Sequence, residues 1–460
     1  MNKKSKQVLL KFLPYLVIFS LSVFLSLSKT SGWIISRLEM TKLRRAFNAS
    51  KTLVDYFPDI GRWFSDLDKN GVSGFSLNYI LPAPLLYFFD EEIGFKIFFA
   101  IFGGLNACFV YFFINKVFRP KNKKEKLALL LSPLILVFSY GFSVLSGLCL
   151  MDPSMVFFLL LSLYLFYQKK YFLFGLALTT GVFCKNPILA IVPGLFLYLL
   201  LFRRKLLLKK ELWLAAIAGQ GLRGLVNWLQ GETFNLQNFF PKPPVYLLDQ
   251  LHFNHLKNVF LTAPVLVLFG ILGFFNLTDK EREKLRPVFF SFFSLGILYF
   301  SAYTNGSHYI YFLFPFLAIP AYGFLRKISL REMVILLLLS IAVFVISYQE
   351  EPIYHRFHKK NLPQLKKIFQ ENLKEGEIVL THPGVWDYYF GEGLYSVTKD
   401  IEWFGSPYIT QADIPEYRIE QAGIIILEKP LINDLAQWEY FDQFQFKKEI
   451  DHWYVFVRRR

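Results

Sequence analysis

The sequence predicts an all-α polytopic membrane domain of about eleven transmembrane helices, followed by a small C-terminal α/β domain. Of the 460 residues, 54% are hydrophobic and 53 are Phe, more apolar side chains than a soluble globular domain usually carries. These residues gather in windows that could cross about 30 Å of hydrocarbon. The predicted spans are 8–28, 93–115, 127–146, 153–168, 171–184, 187–202, 211–229, 259–276, 287–303, 308–325 and 332–348.

The loops between these spans predict the topology, because short basic loops stay on the cytoplasmic side. The N-terminus begins with Lys3, Lys4 and Lys6, and every second loop after it is basic: "KVFRPKNKKEK", "YQKK", "FRRKLLLKK", "TDKEREKLR" and "RKISLRE". We therefore expect a cytoplasmic N-terminus. The first apolar run is predicted to be an anchor, since it lacks the small-residue cleavage site of a signal peptide. The Lys-rich short loops favour the plasma membrane of a bacterium, that is, its inner membrane.

This topology divides the chain into a multi-span domain, 1–348, and a C-terminal domain, 349–460. Two large loops, 29–92 and 230–258, are predicted on the same extracytoplasmic side as the C-terminal domain. That domain has a mixed pattern, with a helix-like "LPQLKKIFQENLK" and the strand-like runs "GEIVLTH", "GIIILE" and "HWYVFV". The pattern is typical of a small α/β domain.

Composition argues against several classes of partner and cofactor. The net charge of +16 does not indicate nucleic-acid binding, because Lys and Arg flank apolar runs and do not cover one soluble domain. Cys108, Cys149 and Cys184 lie in apolar stretches and predict neither a disulfide nor a thiolate metal site. In "HFNH", His252 and His255 fit one helical face, yet the sequence names no further ligands. We predict no cofactor and keep a divalent metal at this His pair as the alternative.

One carboxylate, Asp152, lies in the otherwise apolar "GLCLMDPSMVFF" at the outer end of the fourth span. Asp is favoured at helix N-caps and Pro at the first helical position, so opening a helix is a sufficient role for Asp152 and Pro153. A carboxylate at membrane depth is nevertheless costly unless it faces protein, a cation or water. A functional role in addition to capping therefore stays open.

Cationic and imidazole side chains are predicted at the same level of the bilayer: Lys185 in "FCKNP", Arg223 in "GLRGLVNW" and His308 in "NGSHYIYFLFP". Each also has a purely structural interpretation. Lys185 would extend to the interface, Arg223 would pair with a carboxylate in packing, and His308 would be an ordinary interfacial side chain. Together they predict a cavity between helices, in which cations could hold a lipid phosphate.

The first outer loop supplies acids on the same side. "LVDYFPDIGRWFSDLDKNG" contains Asp55, Asp59, Asp66 and Asp68, and "NYILPAP" follows with Tyr79. Asp55 and Asp59 are four residues apart and would share one face of a helix. The alternative for all four acids is solvated surface charge.

Taken in order, "VDYFPD", "NYILPAP", "CLMDPSMVFFLLLSLYLF", "GLALTTGVFCKNPILAIVPG" and "HYIYFLFPFLAIPAYGFL" resemble the membrane glycosyltransferases of the GT-C fold, including their mannosyltransferase branches. The resemblance covers nearly the whole chain in layout, and each motif is short. It implies a GT-C-like hexosyltransferase, inverting, that moves a sugar from a polyprenyl-phosphate donor in the lipid bilayer. The acceptor would be a glycan, a lipid or a protein, and nucleic acid is not implied.

The resemblance also implies roles for single residues. The first-loop acid would be the catalytic base, a role that falls first to Asp55 and second to Asp59. Many relatives carry an adjacent Asp-Glu pair soon after the first span, where this chain has only Glu39 in "RLEMTK", so Glu39 remains a third candidate. The predicted substrate-binding residues are Tyr79, Asp152, Lys185, Arg223 and His308.

Two other classes share this composition. A polytopic transporter, or a flippase or polymerase of lipid-linked saccharides, would also be aromatic and basic inside. A transporter, however, is expected to carry polar residues at mid-membrane and similar halves, whereas the polar residues of this chain gather at one face. A membrane scaffold would need no converging acids and cations.

Overall fold

The computed structural model describes residues 3–30, 77–82, 85, 88–89, 91–148, 152–229, 254–302, 310–350, 361–374, 376–381, 401–403, 420–428, 441–450 and 453–460. The described residues fall into two compact units, one ending at residue 350 and one beginning at residue 361. The first is helical and the second contains a sheet. The predicted fold class, a helical multi-span region with a small C-terminal α/β region, is therefore confirmed.

The described helices of the first unit cover most of each predicted span, and positions 303, 308 and 309 of those spans lie outside the described residues. In chain order they are α1 (Lys3–Thr30), α2 (Leu77–Ile80), α3 (Glu91–Phe118), α4 (Lys123–Val137), α5 (Tyr140–Gly147), α6 (Asp152–Tyr167), α7 (Tyr171–Cys184), α8 (Ile191–Phe202), α9 (Lys210–Leu229), α10 (Asn254–Thr262), α11 (Pro264–Asn276), α12 (Asp279–Ala302), α13 (Leu313–Leu325) and α14 (Leu330–Glu350). Two short 3-10 helices, Asn186–Ala190 and Arg204–Leu208, flank α8.

Three of these helices are long and apolar enough to cross a membrane unaided. The apolar stretches are Lys11–Ser28 in α1, Ile93–Phe118 in α3 and Leu330–Ser347 in α14, and the bent pair α4–α5 would add a fourth. Other apolar helices, such as α6, α7 and α13, have 10–17 residues, which at about 1.5 Å per residue is shorter than the hydrocarbon core. That these shorter helices also cross the bilayer, and the total of about eleven spans, stay predictions.

The pair α4–α5 is bent by 61°, whereas the sequence predicted one span over 127–146. The hydroxyl of Ser139 donates to the carbonyl of Ile135 at 2.9 Å, and the hydroxyl of Ser143 donates to the carbonyl of Val137 at 2.5 Å. These bonds satisfy carbonyls near the break, where no water is expected to replace a helical partner. Serine side chains therefore allow the chain to change direction inside an apolar environment.

Helix α3 lies at the centre of the first unit. Its apolar stretch is 61% buried, against 17% for α1 and 22% for α14. Phe102 and Phe109 meet the ring of Phe157 on α6 edge-on, with centroids 5.7 and 6.1 Å apart. Such aromatic pairs add to the packing of α3 against α6. The exposed surfaces of α1 and α14 are those expected of helices that face lipid.

Helices α11 and α13 approach each other through glycines. A side chain at Gly273 would overlap the backbone carbonyl of Pro320, and one at Gly323 would meet the carbonyl of Gly273. Small residues allow such backbone contact between membrane helices, which associate by close packing. This contact fixes the position of α13. Tyr311, a residue of the site described below, lies directly before this helix.

The second unit contains α15 (Leu362–Asn372) and a five-stranded sheet. The strands are β1 (Ile378–Thr381), β2 (Ile401–Trp403), β3 (Ala422–Glu428), β4 (Phe444–Ile450) and β5 (Trp453–Arg458), in the order β2-β1-β3-β5-β4. The β1 strand pairs with β2 and β3 in parallel, and β5 pairs with β3 and β4 antiparallel. The sequence predicted α15, β1, β3 and β5, and it did not predict β2 or β4.

Candidate functional site

A carboxylate is buried where α6 begins. The sequence predicted Asp152 as the N-cap of this helix, and the structure places it one position further in, as the first helical residue. Its side chain is 2% exposed. Both of its oxygens accept hydrogen bonds from Lys185 Nζ, at 2.8 Å to Oδ1 and 2.7 Å to Oδ2. Lys185 directly follows α7 in an extended conformation, which turns it away from the helix. The structure thus brings two of the predicted site residues into direct contact.

This ion pair is asymmetric in its exposure. The carboxylate of Asp152 is removed from solvent, whereas 17% of the Lys185 side chain remains exposed. Removing charges from water costs free energy that their mutual attraction repays only when the geometry is good, and here the ammonium contacts both carboxylate oxygens. Lys185 is consequently the more exposed partner of the pair, and the Asp152 carboxylate holds its ammonium in place.

The short helix α2 joins the same helix ends. Asn78 is fully buried, and its Nδ2 donates to the carbonyl of Cys184 at 2.9 Å. The hydroxyl of Ser154 donates to Asn78 Oδ1 at 2.6 Å. Asn78 therefore connects α2 to the end of α7 and the beginning of α6. The predicted residue Tyr79 follows Asn78 on α2, and its side chain lies outside the described residues.

A second polar cluster, centred on α3, also contacts the beginning of α6. Asn106, in the middle of α3, donates from Nδ2 to the carbonyl of Pro153 at 2.8 Å and to the hydroxyl of Tyr311 at 3.2 Å. Ser146 donates to the carbonyl of Phe142, so the Tyr311 hydroxyl donates the 3.0 Å bond that joins it to Ser146. Each N–H and O–H proton of this cluster therefore has an assigned acceptor. Within the described residues, Asn106 Oδ1 has no hydrogen-bond partner.

We call the side of the helical unit where α6 begins and α7 ends the Asp152 end; it meets α3 at Asn106, in the middle of that helix. Near the start of α3, Lys96 Nζ donates to the carbonyl of Thr30, the last residue of α1, at 2.7 Å. The opposite end of α3 meets basic residues, because Lys284 Nζ donates to the carbonyl of Val117 at 3.0 Å. We call this opposite end the basic end. The basic loops found in the sequence therefore lie away from Asp152.

The basic end contains its own ion pair, outside the apolar part of the spans. Arg326 donates to both oxygens of Glu281, at 2.5 and 2.6 Å. Burial alone would raise the pKa of Glu281, but the hydrogen bonds from Arg326 and from Thr278 outweigh it and hold the pKa below its ordinary value. The same bonds raise the pKa of Arg326. The pair Arg203–Glu283, 2.9 Å long, is about half exposed on both sides and is weaker.

The remaining predicted site residues are only partly visible. Arg223 lies on α9, and of this residue only the backbone is described. The positions that lie outside the described residues are Glu39, Asp55, Asp59 and His308. Their proposed roles stay predictions.

No group of three or more His, Cys, Asp and Glu side chains suited to a metal ion occurs in the part of the chain that the structure describes. His252 and the side chain of His255, the predicted alternative for a metal, lie outside that part. Among the described residues, neither Cys108 on α3 nor Cys184 on α7 forms a disulfide.

The sequence did not identify Asn78, Asn106, Ser154 or Tyr311 as site residues. A signal existed for Asn106, because an amide inside an apolar run such as 93–115 has to find a partner within the protein. Its partners, however, lie 47 and 205 residues further along the chain. The choice among such distant partners required the structure.

Comparisons with known proteins agree with this architecture. A model of the dolichyl-phosphate-mannose-protein mannosyltransferase family matches residues 48–242. An uncharacterized protein of Aquifex aeolicus (strain VF5) is 30% identical over 303 residues, which are 62% of this chain and 59% of that relative, less than two thirds of its length. The crystal structure of the Archaeoglobus fulgidus oligosaccharyltransferase in its apo form has a similar fold, with a TM-score of 0.50 and 11% identity over 91% of this chain and 70% of that one.

The comparisons confirm the predicted fold and support the class predicted from the sequence. The fold is that of a multi-span membrane glycosyltransferase of the GT-C type, and the first half of the chain resembles a mannosyltransferase family. The matched family and the matched structure both carry glycosyltransferase names. Neither comparison favours the transporter alternative.

Proposed function

We propose that this chain moves a hexose from a polyprenyl-phosphate carrier to an extracytoplasmic acceptor, which is a glycan, a lipid or a protein. The Asp152–Lys185 pair carries this proposal. It holds the ammonium of a partly exposed lysine at the Asp152 end of the helical unit, backed by a buried carboxylate. A lipid phosphate is the anion that such a position meets in a bilayer. The residues matched by the mannosyltransferase family, 48–242, include both partners.

In the proposed reaction, the acceptor hydroxyl attacks the anomeric carbon of the sugar from the side opposite the phosphate. The bond between the anomeric carbon and the phosphate oxygen breaks, and the pair of electrons leaves with polyprenyl phosphate. Lys185 acts as a point charge that stabilises the negative charge on the departing phosphate. Asp152 is a positioning residue, because it fixes the ammonium without contacting the sugar. Tyr79, Arg223 and His308 complete the donor site in this proposal.

The base that removes the hydroxyl proton is proposed to be Asp55, with Asp59 as the second candidate. Both lie inside the range matched by the mannosyltransferase family, and Glu39 lies before it. This difference supports the order Asp55, Asp59, Glu39. Carboxylate base and ammonium together supply the two groups that the transfer needs, so no metal is required in this scheme.

The orientation follows from the basic end. Short loops rich in Lys and Arg remain in the cytoplasm, so the basic end and the N-terminus are proposed to be cytoplasmic. The Asp152 end and the domain 349–460 would then be extracytoplasmic, in the plasma membrane of a bacterium. Transfer would occur on the outer side, where acceptors of the cell envelope are found.

The experiment is donor turnover by the purified full-length chain in liposomes. Radiolabelled polyprenyl-phosphate hexoses are supplied with envelope glycan, lipid and peptide acceptors, and both glycosylated product and released polyprenyl phosphate are measured, with and without EDTA. We expect product and polyprenyl phosphate in equal amounts for one donor, unchanged by EDTA. Saturable donor binding with movement across the bilayer and no cleaved donor would contradict the proposal and indicate a flippase.

A further inference from the structure

An apolar groove of about 210 Å³ runs along α7 and α8 in the helical unit. Val182 and Leu189 line it near the Asp152 end, and Leu207 and Trp213 line it near the basic end. It is open on one side, because Phe196 and Trp213, which also line it, are 49% and 55% exposed. In a membrane, an open apolar groove of this kind faces lipid chains.

The lining of the groove suits a hydrocarbon chain and not a polar group. Among the residues that line the groove, two have polar side-chain groups: the hydroxyl of Thr179 and the indole N–H of Trp213. Thr179 already donates to the carbonyl of Gly175 at 2.9 Å, and Trp213 donates to the carbonyl of Leu207 at 2.6 Å. A headgroup would therefore find its partners only at a mouth of the groove.

The mouth at the basic end is bordered by a cationic segment, residues 203–210, with the sequence "RRKLLLKK". Arg203 pairs with Glu283, but Arg204, Lys205, Lys209 and Lys210 are exposed and have no ion-pair partner among the residues that the structure describes. One acid, Glu211, directly follows this segment and is exposed, so the segment remains strongly positive.

An exposed apolar residue interrupts this positive segment. Leu208 lies between the cations and is 83% exposed, and Trp213 follows at the start of α9. Tryptophan is enriched where a protein crosses the boundary between hydrocarbon and headgroups. The segment thus presents cations, a leucine and a tryptophan at one level, a pattern typical of contact with anionic lipid surfaces.

We propose that the groove and residues 204–210 form a binding site for one anionic phospholipid. Its acyl chain lies between α7, α8 and α9, and its phosphate is bound by Arg204, Lys205, Lys209 and Lys210. This site is distinct from the proposed donor site, whose phosphate lies at the Asp152 end of the unit. Lys185 lies between Val182 and Leu189 in the chain, but it is not among the residues that line the groove.

The test uses full-length protein, delipidated in detergent, with phosphatidylglycerol, phosphatidylcholine and polyprenyl phosphate as probes. Lipid retention is counted by native mass spectrometry, and thermal unfolding is followed in parallel. The variant R204Q/K205Q/K209Q/K210Q removes the cations, and Val192→Phe fills the groove, since Val192 lines it and is 44% exposed. The matched control R119Q/K121Q/K123Q/K126Q removes equal charge beside α4, away from the groove.

We expect the wild type and the control to retain phosphatidylglycerol in preference to phosphatidylcholine and to unfold at a higher temperature with it. The two groove variants should bind phosphatidylglycerol at least about tenfold more weakly. Equal loss in the control variant would overturn the proposal, because it would indicate attraction by bulk charge. Displacement of phosphatidylglycerol by polyprenyl phosphate, unaffected by the cation variant, would also overturn it and assign the groove to the donor. Neither readout depends on sugar transfer, so failure here is separate from failure of the proposed function.

Discussion

Lys185 Nζ lies 2.7 and 2.8 Å from the two carboxylate oxygens of Asp152, at the point where α7 ends and α6 begins. The pair joins two consecutive short helices and leaves Lys185 more exposed than Asp152. Its geometry explains how an acid is tolerated among apolar residues. It also makes the pair the first place to test both stability and donor binding.

Removing one member of the pair should be strongly destabilising. Lys185→Met leaves a buried carboxylate without its cation, and we expect a loss of about 3–5 kcal/mol in stability, visible as a large drop in the unfolding temperature in detergent. The double variant D152N/K185M should recover most of this loss, since no unpaired charge remains. The exposed pair gives the control: Arg203→Gln should change stability by no more than about 1 kcal/mol. Equal effects at the two sites would show that Asp152 is solvated.

Tyr311→Phe should weaken the support of α6 without creating a cavity. The hydroxyl donates to Ser146 and accepts from Asn106, so its removal should cost about 1–3 kcal/mol. If this cluster positions the start of α6 for donor binding, KM for the donor should rise more than kcat falls. Ser340→Ala is the control, because Ser340 donates only to the carbonyl of Leu336 on its own helix. An unchanged KM in Tyr311→Phe would limit the cluster to a role in stability.

The Glu281–Arg326 pair should make stability depend on pH in the acid range. Because the pKa of Glu281 is lowered from its ordinary value of 4.5, its stabilising contribution is present above that value and is lost as the pH falls through the folded-state pKa. Wild-type protein should therefore lose stability below about pH 4.5 more steeply than Glu281→Gln, which should be less stable at neutral pH. Glu283→Gln, at the exposed pair, should follow the wild-type curve. Thermal unfolding over this pH range checks the prediction, and parallel curves for wild type and Glu281→Gln would refute it.

Gly273→Leu should prevent α11 and α13 from packing. A side chain there overlaps the backbone of Pro320, which cannot move as a flexible side chain would. We expect loss of monodisperse protein on size exclusion, or a destabilisation above about 3 kcal/mol. Gly221→Ala is the control, because no atom lies within 4 Å of the added methyl group, and helix propensity should make it neutral or slightly stabilising. Normal behaviour of Gly273→Leu would contradict the observed contact.

Apolar windows and alternate basic loops predicted most of the helical unit, because burial in lipid imposes the same simple pattern on every span. They did not predict the bend at Ser139, where two serine hydroxyls take over helical carbonyls and no glycine or proline stands at the break. Strand β4 was missed for a related reason. Its residues Gln445 to Glu449 are all exposed, so "FQFKKEI" lacks the alternation that indicates a strand.

The sequence predicted Asp152 and Lys185 as site residues, but not Asn78 or Tyr311. Asp152 and Lys185 stand out as charges in apolar surroundings, and both belong to consecutive spans, so their proximity follows from chain order. Asn78 and Tyr311 lie in segments that were noted for other residues, and their partners come from helices far away in the sequence. Long-range hydrogen bonds of this kind leave no periodic pattern from which they could be predicted.

The most direct measurement compares sugar transfer by wild-type protein, Asp55→Asn and Asp66→Asn, using the same lipid-linked donor and acceptor. Asp66 belongs to the same loop and serves as the matched control, and donor binding and thermal unfolding are recorded for all three proteins. The account predicts at least about a hundredfold loss of transfer in Asp55→Asn with donor binding retained, and near wild-type transfer in Asp66→Asn. Wild-type turnover in Asp55→Asn would contradict the proposed base. Absence of transfer from every donor in the wild type, with donor binding intact, would contradict the proposed transferase itself.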